Sequence, residues 1–294
     1  MKRVLIVGCG DVALRVIPLL TRHYKVFAVV RNQSYCEQLR TLTVTPIVAD
    51  LDDRHSLTRL SGLADTVLHF APPPNVGSVD TRTRNLLSAL SRVHGTMGRS
   101  PKRLVYISTS GVYGDCAGAW VSETQPLKAT SPRALRRVDA ERQVRRWARR
   151  NRVNASILRV PGIYAADRLP LNRIRQGMPA IADSEDSYTN HIHADDLARI
   201  SVAALRHGAA CRVYHSSDDS QLKMGEYFDR VADAFGLPRV PRVSRGEAQR
   251  VLPEMLLSFM NESRRLTNQR MKCELRVQLR YPTVMDALAA ITHA

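Results

Sequence analysis

Short apolar runs alternate with longer amphipathic ones through the first ~165 residues, a glycine-rich turn joins the first run to the first helix, and the alternation fails beyond Pro161. Together these observations predict an α/β protein: a doubly wound parallel sheet with helices on both faces, followed by a small, mainly helical C-terminal lobe.

The expected strands are Arg3–Val7, Lys25–Val30, Val44–Val48, Thr66–Phe70, Arg103–Ser108 and Asn154–Leu158. Between them, helical patterns fill Asp11–Tyr24, Tyr35–Arg40, Ser56–Leu60, Thr81–His94 and Pro132–Arg150. Pro18 falls inside the first helix, which therefore kinks or begins its last turn there. After an irregular stretch rich in Pro and Gly come a helix near Asp195–His207 and a short strand at Arg212–His215. From about residue 221 the chain reads as helical, broken by Pro238, Pro241, Pro253 and Pro282. Residues 1–163 and 191–220 are thus assigned to the sheet domain, and 164–190 with 221–294 to the lobe.

The 294 residues, 44% hydrophobic and 24% charged, suffice for one large domain or two modest ones and exclude a disordered chain. Five dispersed cysteines, with no C-x-x-C pair, argue against a zinc site and for a reducing, cytoplasmic compartment. The apolar run Val4–Val7 is too short for a signal-peptide core, and no stretch approaches the ~20 apolar residues of a membrane span, so a soluble protein is expected.

A net charge of +17 has two readings. A basic balance is the footprint of a nucleic-acid binder. It also arises from solvated helix faces, and the nine arginines within 133–152 favour that account. On a helical wheel Arg142, Arg146, Arg149 and Arg150 lie opposite Ala140, Val144, Trp147 and Ala148, giving a basic outer face. No groove-reading module or aromatic-interleaved basic stripe accompanies it, so nucleic acid is not the expected partner.

The first strand enters Gly8-Cys9-Gly10-Asp11-Val12-Ala13, a G-x-G-x-x-A turn opening a helix. Gly8 permits the tight turn, Gly10 lets backbone N–H groups approach a diphosphate, and Ala13 allows close packing of strand and helix. The helix N-terminus, at Asp11 and Val12, adds partial positive charge. Where an NAD-selective site often carries an acidic residue after the second strand, this chain has Arg31. Arginine there accommodates a 2′-phosphate, which favours NADP(H) over NAD(H); the competing reading is a surface arginine in a basic protein.

The segment VYISTSGVYGD, then SETQPL, then SPRALRRVDAE, spans Val105 to Glu141. It closely resembles the catalytic segment of extended short-chain dehydrogenase/reductases, the NAD(P)-dependent sugar epimerase/dehydratase group. That resemblance implies a Rossmann-type fold, and it places Thr109, four residues before Tyr113, at the hydroxyl position that orients the substrate oxygen, with Ser108 and Ser110 as neighbours. Aligned on Glu141, Arg133 stands at the family's Tyr position and Arg137 at its Lys position. The resemblance further implies that Asp50-Leu51 faces the adenine ring, that the run containing Ala71 and Pro72 passes the cofactor ribose, and that Leu158-Arg159-Val160-Pro161-Gly162-Ile163-Tyr164 lies beside the nicotinamide. Asn190-His191-Ile192-His193-Ala194-Asp195-Asp196 matches the segment returning the chain to the nucleotide domain, and a His-Asp metal site is the weaker account of it.

An arginine cannot serve as a general acid, because guanidinium stays protonated near neutral pH. Arg133, Arg137 and Glu141 recur at i, i+4 and i+8, within ~60° of Ala140, Val144 and Ala148, and are expected to face the sheet and cofactor. Two readings follow: an Arg137–Glu141 helix pair, or an anion clamp for a cofactor phosphate or a substrate carboxylate or phosphate. If the proton is moved by another group, Tyr113 and Tyr164 are the candidates. The expected activity is an NADP(H)-dependent oxidoreductase or epimerase/dehydratase-like enzyme on a small anionic or sugar-like substrate, working as a monomer or homodimer. The alternative is a non-catalytic NADP(H)-binding sensor, with nucleic-acid binding a remote third.

Overall fold

The computed structural model describes residues 1–91, 100–253, 256–257 and 260–292. In chain order its elements are β1 (Lys2–Val7), α1 (Asp11–Thr21), β2 (Tyr24–Val30), α2 (Tyr35–Thr41), β3 (Val44–Val48), β4 (Thr66–His69), α3 (Thr81–Ser91), β5 (Arg103–Thr109), β6 (Trp120–Val121) and α4 (Pro132–Asn151). Then follow β7 (Asn154–Val160), β8 (Gly162–Tyr164), α5 (Leu171–Arg175), β9 (Ala180–Ile181), β10 (His191–His193), α6 (Ala194–His207), β11 (Arg212–His215) and α7 (Met224–Ala234). The chain closes with β12 (Arg242–Val243), α8 (Arg245–Val251), β13 (Arg265–Leu266), α9 (Gln269–Leu275) and α10 (Val284–Thr292).

Seven strands form one parallel sheet in the order β11-β7-β5-β4-β1-β2-β3. The sequence order reverses between β1 and β4, and the C-terminal ends of these strands open the crevice where such sheets bind ligands. The period of two along β1 divides its side chains between two cores. Val4 and Ile6 pack with Ala13, Val16, Ile17 and Leu20 of α1 and with α6, whereas Leu5 and Val7 pack with Leu86 and Leu90 of α3 and Ala140 and Val144 of α4.

Local chemistry accounts for the element ends. Pro18 sits in the final turn of α1, as the sequence predicts, where its missing N–H leaves little of the helix to disturb. Ser131 caps α4 by accepting from the Ala134 N–H at 3.3 Å, Pro132 occupies the first turn, and Arg152 in the left-handed conformation (φ 54°) ends it. The predicted helix Ser56–Leu60 is a 3-10 segment instead. The far end of the predicted helix Thr81–His94 lies outside the described residues.

A third core joins Tyr164, Ile174, Ala180, Tyr227, Phe228, Val231, Val240, Val284 and Leu288, drawn from the segments expected to build the lobe. The stretch 221–294 is nevertheless divided. Met271, Leu275 and Leu279 of α9 and its continuation pack into the α1–α6 side of the main sheet, and β13 pairs with β6. The reason is apolar spacing: Met271 and Leu275 stand four apart on one helix face and are fully buried against the sheet domain.

Candidate functional site

The nucleotide end is built by β1, β4 and α1. Gly8 has φ +93°, and a Cβ there would lie 2.4 Å from the Ala71 nitrogen, so a residue with a side chain could not let the two loops approach. Both the Phe70 and Ala71 N–H groups donate to the Val7 carbonyl, at 2.8 and 2.9 Å, which fixes that contact. Gly10 differs: a Cβ there would meet nothing within 4 Å. It is exposed at the start of α1, beside the N–H groups of Asp11 and Val12, and a side chain there would stand in the open space before them. This open, donor-lined turn fits a dinucleotide diphosphate.

At the adenosine end, the Asp50 carboxylate accepts the Asp52 N–H at 2.9 Å and shapes the turn that leaves β3. Leu51 is buried, its carbonyl held by Asn85 Nδ2 at 2.8 Å. Arg31 is exposed at the end of β2. Hydrogen bonds from Arg82, the closest at 2.7 Å, and the nearby Arg31 charge hold the Asp52 carboxyl below its usual range. Pro72 is exposed at the mouth of this region.

At the reaction end, Thr109 closes β5 and its Oγ1 accepts the Gly111 N–H at 3.2 Å, leaving the hydroxyl proton to donate. Ser108 is not an alternative, because its hydroxyl donates to Glu141 Oε1 at 2.7 Å. Arg137 is half-buried and donates through Nη1 to the Ile107 carbonyl at 2.7 Å and to the Tyr106 hydroxyl at 3.1 Å. Arg133, in the first turn of α4, is exposed rather than turned fully inward, and partial desolvation followed by the Arg137 charge lowers its pKa. Arg137 therefore sits against β5, and Arg133 lies one helical turn before it on α4.

The Arg137–Glu141 helix pair does not form. Glu141 instead binds Arg159, with Nη2 to Oε2 at 2.7 Å and Nε to Oε1 at 3.0 Å, and the Ser108 hydroxyl. The partner one strand away presents a planar fork, which serves both carboxylate oxygens better than a helix neighbour.

Tyr113 belongs to the same buried network. Its hydroxyl accepts from Arg159 Nη1 at 2.6 Å and lies 2.5 Å from His215 Nε2. His215 Nδ1 faces the Thr267 carbonyl at 2.7 Å, which can only accept, so Nδ1 carries the hydrogen and Nε2 receives the Tyr113 proton. Tyr113 has no solvent exposure, burial pushes its pKa up to about 12, and its hydroxyl is engaged by Arg159 and His215. Tyr164 is equally enclosed, donating to the Thr283 carbonyl at 3.4 Å, with its pKa raised by burial.

Pro161 is half-buried and Gly162 exposed in the segment leaving β7. His191 pairs in register with Gly162, and its ring would lie 3.3 Å from a Cβ at that position. His193 caps α6 by accepting the Asp195 N–H at 3.2 Å. Among the described residues no group of three or more His, Cys, Asp or Glu is placed to hold a metal ion.

Residues 9–215 match the model of the NAD dependent epimerase/dehydratase family. The chain belongs to that family. Its NAD-binding Rossmann fold is the one described above. The mouse dTDP-D-glucose 4,6-dehydratase is 23% identical over 248 residues, covering 76% of this chain and 70% of the relative. A conserved protein of unknown function from Silicibacter pomeroyi DSS superposes with a TM-score of 0.80 at 26% identity, covering 100% and 99% of the two chains. The dTDP-glucose 4,6-dehydratase DesIV of Streptomyces venezuelae, solved with NAD bound, gives 0.78 at 21% identity, covering 99% and 96%.

Sequence reasoning misses three contributors to this epimerase/dehydratase-family site. Arg136 is buried and donates to the Gly77 carbonyl at 2.7 Å, although an arginine run suggests a solvated face. Glu123 backs the Arg159 network through its carbonyl at 3.3 Å. Asp196 accepts the Arg280 and Tyr281 N–H groups, both at 2.8 Å, tying the C-terminal segment to α6. Only the last had a signal, the second acidic residue of the Asp195-Asp196 pair.

Proposed function

We propose that the protein is an NADP(H)-dependent oxidoreductase or epimerase/dehydratase-like enzyme acting on a small anionic or sugar-like substrate. The observation that carries this reading is Arg137, held by the Ile107 carbonyl at 2.7 Å and the Tyr106 hydroxyl at 3.1 Å on the strand that ends in Thr109, with Arg133 one helical turn earlier on α4. A guanidinium binds carboxylate or phosphate with paired hydrogen bonds, and two on successive turns of one helix suit an anionic substrate group. In this reading a bound nicotinamide supplies hydride transfer, Thr109 orients the substrate oxygen, and the arginines hold the substrate's anionic group. With Tyr113 committed to His215, the proton at the substrate oxygen exchanges with water in the cleft. Arg31, with Arg82 beside Asp52, supports a 2′-phosphate at the adenosine end. Among the described residues no helix is long and apolar enough to cross a membrane.

The test is titration of the protein with NADPH, then with small carboxylates and sugar phosphates, reading cofactor fluorescence and oxidation. Anion-dependent perturbation of bound NADPH that disappears in Arg133→Met and Arg137→Met is expected. A protein that binds no dinucleotide sinks the proposal. The second reading, a non-catalytic NADP(H)-binding sensor, is favoured by the commitment of Tyr113 to the buried network. It predicts tight NADPH binding with no oxidation by any carbonyl or sugar substrate.

A further inference from the structure

A cluster of charges surrounds the first turn of α1. Asp11, directly after the open Gly10, binds Arg15 Nε through Oδ1 at 3.0 Å and Arg168 Nη1 through Oδ2 at 3.2 Å. Arg15 also reaches Asp195 at 2.6 Å and Asp167 at 3.5 Å. Three carboxylates, Asp11, Asp167 and Asp195, thus face two guanidinium groups, one negative charge in excess. Burial lowers the pKa of the adjacent His193, so it adds no cation near neutral pH.

An excess negative charge opposes a diphosphate docking on the same helix N-terminus, and the helix dipole alone is a weak offset. One of the two cations must then turn to the ligand. Arg15 is poorly placed to do so, being gripped by three carboxylates with its side chain only 26% exposed. Among the described residues Arg168 pairs with Asp11, and its side chain is 40% exposed. If it leaves, Asp11 keeps Arg15, and no carboxylate is orphaned. Arg168 also ends the 3-10 turn Ala166–Arg168, which begins two residues after β8 ends and reaches α1 through Asp11.

We propose that Arg168 is the diphosphate-recognising residue contributed by the lobe, exchanging its contact with Asp11 for the diphosphate of a bound dinucleotide. The inference rests on the dinucleotide reading above. It makes Asp11 a competitor of the cofactor for one guanidinium, so substitutions at the two positions act in opposite directions.

The test is the dissociation constant of NADPH, NADH and ADP-ribose, measured by calorimetry on the full chain. Arg168→Ala weakens all three by about tenfold or more, the loss of one charge-assisted hydrogen bond, and flattens the salt dependence. Arg168→Lys recovers part of the affinity. Asp11→Asn tightens binding, because it removes the repulsion and releases Arg168. Unchanged affinity in Arg168→Ala, or weakening in Asp11→Asn, overturns the proposal. If the unmodified protein binds none of the three ligands, the dinucleotide reading itself has failed, an outcome distinct from unchanged affinity in the variants. Thermal melts of each variant separate lost binding from lost folding.

Discussion

Arg159 and Glu141 lock β7 to α4 through a two-point ion pair whose side chains are 4% and 2% exposed. Burial works against the Arg159 charge, but the hydrogen bonds it donates to Glu141 outweigh it and raise its pKa. Removing one partner leaves a guanidinium enclosed without its counter-ion. Glu141→Gln should therefore cost about 3–5 kcal/mol of stability. Replacing the pair together, Glu141→Leu with Arg159→Met, should cost much less. Urea denaturation of both variants checks this, and equal losses would show that the pair is not the source.

Tyr113→Phe removes a hydroxyl that serves both Arg159 and His215. Stability should fall by about 1–3 kcal/mol, since two buried polar groups lose a partner. NADPH affinity and any turnover should stay near those of the unmodified protein after correction for the folded fraction. Turnover abolished at unchanged melting temperature would instead make Tyr113 the proton donor.

Gly8 and Gly10 should respond differently to alanine. Gly8→Ala places a Cβ 2.4 Å from the Ala71 nitrogen at φ +93°, so the folded protein should be strongly destabilised. Gly10→Ala meets no atom within 4 Å and has an ordinary extended φ of −94°, so the melting temperature should hold. Dinucleotide affinity should nonetheless drop by about tenfold or more, because the new methyl stands where the diphosphate must approach the backbone N–H groups. Calorimetric titration of a well-folded Gly10→Ala variant decides the matter.

Stability should fall on acidification. Burial, their leading cause, lowers the pKa of His69, His191 and His215 to about 3. These residues stay neutral in the fold, while the unfolded chain protonates them below about 6.5. Their contribution is complete above that value and is lost as pH falls toward 3, about 2 kcal/mol each by pH 5. Asp218 acts oppositely: burial raises it to about 7, so the folded state holds an extra proton between 3.8 and 7 and gains stability there on acidification. Burial raises Asp80 as well. The three histidines outweigh these, and urea midpoints at pH 7.5 and pH 5 should show a net loss at the lower pH.

Arg31 should set cofactor choice. NADPH should bind about tenfold more tightly than NADH, and Arg31→Ala should erase the difference by weakening NADPH alone. Equal binding of the two cofactors by the unmodified protein would assign Arg31 to the solvated surface.

The sheet was readable from sequence because each strand is a self-contained apolar run and each connection a short amphipathic helix, features set by local pattern. Strand starts and ends agree within two residues, as at Asn154, where β7 continues to Val160 because Arg159 and Val160 still pair with Ser108 and Thr109. The glycine turn was legible because only glycine satisfies the Gly8 conformation. Partner choice was not. A helical wheel shows that Glu141 faces inward, but whether it meets Arg137 or Arg159 depends on the distance across a strand pairing that no local window contains. The same limit hid the commitment of Tyr113 to His215, 102 positions away, and the split of the C-terminal segment between two cores.

That split has a consequence for how the chain is made. Asp196 holds the backbone of Arg280 and Tyr281, while Met271 and Leu275 seal a side of the sheet whose strands end at His215. During synthesis the α1–α6 side of the sheet therefore lacks part of its apolar cover until Met271 and Leu275 have left the ribosome.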